Sequence, residues 1–140
     1  MSRFSGHRRV FADAGFLIAL FSKRDDLHER AEELFRDAVR ARVEIHSSWP
    51  VVGEAVTLLL YHYGYSEAAA VLKALPGFRV HAPAEAEFRS AAALFPRHAA
   101  GRKVSFVDLL SYSIVTGRLK GIPVLSFDAD FPALGMTVIR

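Results

Sequence analysis

The sequence predicts an α/β fold: a parallel-rich sheet of about five strands with helices on both faces. Three observations carry that expectation. Short apolar or alternating segments recur along the chain, and segments of helical periodicity separate them almost throughout. Hydrophobic residues make up 51% of 140 positions, enough for one ordinary core, so a single domain over residues 1–140 is expected. Low-complexity tracts and fixed-period repeats are absent.

The elements follow in order. Residues 9–13 (RVFAD) read as a short buried strand, and the apolar run 14–22 (AGFLIALFS) as a helix packed on it. A second helix starts at Asp25 or Asp26, with Glu29 placed for a carboxylate capping box. Its apolar positions Leu27, Ala31, Leu34, Phe35, Ala38 and Val39 have helical spacing with a charged face opposite, so the acids there need no functional explanation. Residues 43–47 alternate as a second strand. Ser47 or Ser48 caps the next helix, with Pro50 in its first turn, and that helix runs over 51–63 to Gly64. A helix over 66–75 stops at Pro76-Gly77, and a third strand covers 78–81. Residues 84–95 form a helix ending near Pro96, and 97–104 form a basic loop. Ser105 opens a helix that ends at Gly121. Strands at 123–127 and 136–139 close the chain. Crossovers in such a sheet are right-handed, and ligands bind at the carboxyl ends of its strands.

Composition removes several function classes. There is no cysteine, hence no disulfide and no thiolate metal site, which agrees with a cytoplasmic location. The basic start MSRFSGHRRVF lacks signal-peptide order, and no apolar run approaches a membrane span. The six histidines form no HExxH pair, and GxGxxG, the phosphate-binding GxxxxGK[ST] and GxSxG are all missing. The net charge of +3 is compatible with a polyanionic partner. Arg3, Arg8 and Arg9 near the start, and Arg89, Arg97, Arg102 and Lys103 later, stand in stretches without acids.

Acids in apolar company are the informative residues. Asp13 closes the strand VFA and precedes GFLIALF, and Asp128 directly follows the strand VLSF, so both belong at carboxyl strand ends. Glu54 lies in PVVGEAVTLLLYHY and Asp108 in SFVDLLSYSIV, helices apolar on most of their circumference. Should the four converge, like charges would raise one another's pKa unless a cation intervened. Magnesium or manganese, which prefer oxygen ligands, would activate water and stabilise charge on a phosphodiester. Each acid also has a local reading. Asp13 is a helix N-cap, Glu54 joins a polar stripe with Thr57 and Tyr61, Asp108 completes a capping box with Ser105, and Asp128 with Asp130 makes a polar turn.

VFADAGFLIALF, VVGEAVTLL, SFVDLLSYSIV and VLSFDADF, taken in this order over nearly the whole length, resemble a PIN-domain ribonuclease of the VapC-like toxin type. The resemblance implies a PIN-like three-layer α/β/α sandwich with a mostly parallel sheet. It implies Asp13, Glu54, Asp108 and Asp128 as the catalytic and metal-binding set, Mg2+ or Mn2+ as cofactor and RNA as substrate. A small antitoxin protein and a homodimer are the implied partners. The sequence departs from the family pattern at Ala14-Gly15, where a hydroxyl commonly follows the first acid. It also has Gly53 before Glu54 and Ser126 in place of the commoner threonine. Asp130 is a candidate auxiliary acid. Arg102 and Lys103 are candidate phosphate contacts, and Trp49, Tyr61, Tyr63 and Tyr65 either stack bases or pack. The helix at 51–63 supplies core or a dimer surface. The alternatives are a non-catalytic PIN-like RNA-binding or assembly module with a degenerate acidic site, and a phosphoryl-transfer domain. The latter lacks its second Asp, Gly15 standing there, and its lysine near the last strand.

Overall fold

The computed structural model describes residues 3–140; Met1 and Ser2, the first residues of the basic start, lie outside it. Five parallel strands form one sheet in the order β3-β2-β1-β4-β5. They are β1 (Arg9–Ala12), β2 (Glu44–Ser48), β3 (Arg79–His81), β4 (Val124–Leu125) and β5 (Val138–Ile139). Strand β1 is central, and its Val10, Phe11 and Ala12 are fully buried, as a strand covered on both faces must be. It pairs with β2 through Phe11 and His46 and with β4 through Phe11 and Val124.

The helices are α1 (Ala14–Phe21), α2 (His28–Arg40), α3 (Trp49–His62), α4 (Tyr65–Ala74), α5 (Glu85–Ala99), α6 (Phe106–Thr116) and α7 (Asp130–Ala133). The crossovers holding α1–α4 carry the chain outward from β1 to β3, whereas those after β3 carry it the other way. Right-handed crossovers therefore put α5, α6 and α7 on the opposite face. The contacts agree: α1 packs against α2, α3 and α4, and α5 against α6. Phe16, Leu17 and Leu34 fill the layer beneath the first group, while Ala91, Val104, Leu109 and Leu110 form a separate cluster under α5 and α6. Among the described residues no helix is long and apolar enough to cross a membrane.

Several boundaries differ from the sequence expectation, each for a local reason. The capping box at Asp26 does not form. Asp25 instead accepts the Leu27 N–H at 2.9 Å, and α2 starts at His28 with no side-chain cap. Helix α5 continues through Pro96 to Ala99, shortening the basic loop. Pro96 is exposed, so the carbonyl freed by its missing N–H meets water rather than core. Helix α6 ends at Thr116, well before Gly121. Gly117 closes it in a turn so tight that a Cβ would lie 2.9 Å from the Ser113 carbonyl oxygen. Strand β4 is only two residues long: Pro123 before it cannot donate to the ladder, and the turn after Ser126 takes the chain away. FDADFP holds a turn and also the short helix α7.

Candidate functional site

The order β3-β2-β1-β4-β5 reverses direction between β1 and β4, and the crevice beyond their carboxyl ends is where such sheets bind ligands. Asp13 follows β1 there. Its Oδ1 accepts the Phe16 N–H at 2.7 Å, which makes it the N-cap of α1, and its Oδ2 accepts a very short hydrogen bond from the Ser126 hydroxyl. Ser126 follows β4 and is fully buried; its Oγ also accepts the Asp128 N–H at 3.0 Å. One hydroxyl therefore ties the first acid to the backbone of the last across the switch point. Phe16 and Phe127, with ring centroids 6.1 Å apart, hold the two segments together from the sides.

Asp128 Oδ1 accepts the Asp130 N–H at 2.9 Å, which fixes the turn and opens α7. Asp108 sits at the third position of α6. Its Oδ2 accepts the Ser105 N–H at 3.0 Å while Ser105 Oγ accepts the Asp108 N–H at 3.0 Å, the reciprocal capping box. The local readings of Asp13, Asp108 and Asp128 as caps and turn formers thus hold together with a shared location. Glu54, half-buried in the second turn of α3, accepts no hydrogen bond among the described residues.

Asp13, Glu54, Asp108 and Asp128 line one open cleft of about 440 Å3, joined by Gly15 and Lys103. Burial pushes the Asp13 carboxyl up to about 7 from its ordinary 3.8. The Ser126 and Phe16 donors oppose that rise, and the charges of Asp108 and Asp128 add to it. Burial raises Asp108 as well, against its Ser105 hydrogen bonds and with the help of Asp128 and Asp130. Glu54 is raised by burial and then by Asp108. Among the described residues no arginine, lysine or histidine forms an ion pair with any of the four. The cleft gathers partly desolvated carboxylates with which no cation pairs directly, Lys103 lying in its lining.

The donors are all carboxylate oxygens, the set that suits Mg2+ or Mn2+. Among the described residues no three of them stand close enough to hold a single ion together. Magnesium retains several waters and takes one or two carboxylates, so fewer than three of these acids per ion suffice. Gly15 lines the crevice beside Asp13, and a Cβ there would meet the Asp13 carboxylate at 3.7 and 3.9 Å, ordinary contact.

Other sequence candidates divide. Lys103 lines the cleft and Arg102 does not. Asp130 acts on Asp108 only through its charge. Trp49, Tyr61 and Tyr65 are exposed but lie outside the cleft lining, and Tyr63 packs against the Arg24 guanidinium. Helix α3 buries Val51, Val52, Ala55 and Leu59 while exposing Leu60 and Tyr61. Asp25, grouped with the solvated acids of the second helix in the sequence reading, borders the cleft. Its neighbours Asp26 and Glu29 gave no local signal for that, because only the turn before α2 brings it round.

A family model described as the PIN domain matches residues 10–135. A comparison with curated protein sequences finds no match. Among solved structures, the Mycobacterium tuberculosis toxin VapC20, described as cleaving the sarcin–ricin loop, is 30% identical. It superposes with a TM-score of 0.81 over 94% of this chain and 98% of that one. A toxin–antitoxin complex from Klebsiella pneumoniae shares 18% identity and a TM-score of 0.66, over 94% and 96% of the two chains. VapBC-5 of M. tuberculosis, a member of the VapBC toxin–antitoxin family, shares 18% identity and a TM-score of 0.59, over 95% and 98%. The last two carry the likeness of fold.

Proposed function

We propose, from the premise that this chain belongs to the PIN-domain family and is VapC-like, that it is a divalent-metal-dependent endoribonuclease and the toxin of a toxin–antitoxin pair. The observation that carries the reading is the convergence of Asp13, Glu54, Asp108 and Asp128 on one cleft with no cationic partner of their own. These four residues would hold Mg2+ or Mn2+. Such an ion, when bound, activates water and stabilises charge developing on a phosphodiester.

The chain's own residues prepare the site. Backbone donors fix Asp13 and Asp108, so their carboxylates need no reordering to receive a cation. Ser126 keeps Asp13 and the Asp128 turn in register. Lys103 supplies positive charge at the rim for an RNA phosphate. A small antitoxin would silence the enzyme by covering the acidic cleft. The toxin–antitoxin description of two of the similar structures supports that partner, and a homodimer in the cytoplasm completes the proposal.

The sarcin–ricin loop named for the 30% identical relative makes a stem-loop RNA the first substrate to assay. Incubated with Mg2+ or Mn2+, the protein is expected to cut it, and EDTA to stop the cut. Asp13→Asn and Asp108→Asn should each lower the rate by roughly 10²-fold or more while the fold persists, as when several kcal/mol of charge stabilisation is lost. Full activity in either folded variant sinks the mechanism. Among the described residues no three acids cluster around one ion, which favours one other reading, a binding module with a degenerate site. Thermal melting under manganese titration separates the two, since an ion bound only by the folded state raises the melting temperature.

A further inference from the structure

The opposite edge of the sheet carries the opposite charge. Because all five strands are parallel, the segments leading into them gather at one side. Arg8 precedes β1 and Arg9 opens it, Arg42 sits between α2 and β2, and Lys120 lies between α6 and β4. Two hollows of about 420 and 480 Å3 adjoin there and share Arg8 and Arg9. His7 and Lys120 border one, and Arg42 borders the other.

Among the described residues these four cations form no ion pair, whereas Arg3, Arg24, Arg36 and Arg118 each sit on a carboxylate. The acid bordering the hollows is Glu44, whose carboxylate is held by Arg79 at 3.2 Å and His46 at 3.1 Å and is acted on by the charge of Arg9. Among the described residues Arg42 and Lys120 are also the non-glycine residues with left-handed backbone, both at φ 57. Turn geometry there favours Gly or Asn, and both positions carry a long cation instead.

We propose that this basic amino edge is a second RNA-binding surface, gripping phosphates of the RNA that the acidic carboxyl edge cuts. The inference rests on the endoribonuclease reading above. The edges are close enough for one folded RNA: at ~3.3 Å per residue, Arg9 and Asp13 are only about 13 Å apart along the strand. None of the exposed large apolar side chains lines either hollow, which separates this surface from one built to enter a lipid interface. Cations set around hollows suit a phosphate backbone and carry no sequence preference. The surface would thus select RNA by shape and extent, leaving the position of the cut to the cleft.

The test is fluorescence anisotropy in EDTA, so that RNA stays intact, with a fluorescein-labelled sarcin–ricin-type stem-loop over a series of NaCl concentrations. The variant is Arg8→Gln, Arg42→Asn and Lys120→Asn together; asparagine suits the left-handed positions, and melting verifies the fold. Loss of three phosphate contacts should weaken stem-loop binding by about tenfold or more and flatten the salt slope by about 2 to 3. Cleavage of a labelled tetranucleotide, too short to reach the far edge, should not change. Arg8→Lys with Arg42→Lys should keep the wild-type slope. Unchanged stem-loop affinity and slope in the folded triple variant overturn the proposal. So does a variant that loses binding to phosphatidylglycerol vesicles while keeping RNA. A chain that cuts no RNA but shows the binding difference would refute the nuclease reading and leave this surface standing.

Discussion

Along α2, Glu32 meets Arg36 at 3.1 Å and Asp37 meets Arg3 at 3.0 Å, whereas among the described residues Asp13, Glu54, Asp108 and Asp128 in the cleft form no ion pair. The side chains are the same and their companions differ. For Glu33, desolvation works against ionisation, but Arg3 and Arg30 together outweigh it and hold the carboxyl below its usual range. For Asp13, Glu54 and Asp108, burial acts first and neighbouring acids push the same way. What distinguishes a solvated acid from a candidate ligand here is whether the fold supplies a cation beside it. Along α2 it does; in the cleft the nearest lysine, Lys103, lines the wall without pairing with any of the four.

The largest way to break this contrast is to remove a cleft charge. Asp13→Asn should abolish cleavage, and it should also change metal-free stability in a direction that a surface acid would not. The Asp13 pKa is near 7 in the folded chain against 3.8 ordinarily. Between those pH values the unfolded chain gives up the proton and the folded chain keeps it. Wild-type stability therefore falls as pH rises through that window and levels off above it. At about 1.4 kcal/mol per pH unit, the burden above pH 7 is at most on the order of 4 kcal/mol. In EDTA, Asp13→Asn should thus be more stable than wild type at pH 8, with the gap closing toward pH 4. Urea melts at the two pH values measure it, and a pH-independent difference would show that Asp13 is not desolvated as described.

Next in size is Ser126→Ala. It removes the hydrogen bond to Asp13 and leaves the Asp128 N–H without its acceptor. Losing a buried partner of this kind costs about 1–3 kcal/mol. The Ser126 hydroxyl also opposes the rise in the Asp13 pKa. Its loss should move the acidic limb of the pH–rate profile to higher pH, an effect that a purely structural serine would not produce. Ser126→Thr, which keeps the hydroxyl, should restore both; a profile unmoved in Ser126→Ala would reduce this residue to packing.

Much of this arrangement is legible in the amino-acid sequence. Alternating strand and helix patterns gave the parallel sheet, and the rule for strand ends singled out Asp13 and Asp128. Apolar surroundings marked Glu54 and Asp108, because a helix rarely spends a charge on such a face without use for it. Local sequence could not show that Ser126 bridges two acids, since that depends on β4 lying beside β1, partners more than a hundred positions apart. Nor could it place Asp25. Capping logic offered Asp25 and Asp26 as equivalent starts, and the turn that makes Asp25 an acceptor for Leu27 decides which acid reaches the cleft. The amino-edge cations were visible only as two arginines in a basic start, because Arg42 and Lys120 join them through topology.

The smallest expected effect gives the contrast its meaning. Glu32 faces Arg36 at 3.1 Å and His28 at 3.4 Å, on a helix whose acids the sequence already reads as solvated. Exposed pairs of this kind contribute about 0–1 kcal/mol. Glu32→Gln should therefore leave cleavage unchanged and shift the melting temperature by little, and raising the salt concentration should shrink even that difference. If this change reduced cleavage as Asp13→Asn does, the cleft acids would have lost their distinction from the rest of the acidic surface. Ion pairing would then be the wrong criterion for telling them apart. If cleavage is indifferent to Glu32 and lost with Asp13, what matters is an acid held in place with no cation of its own.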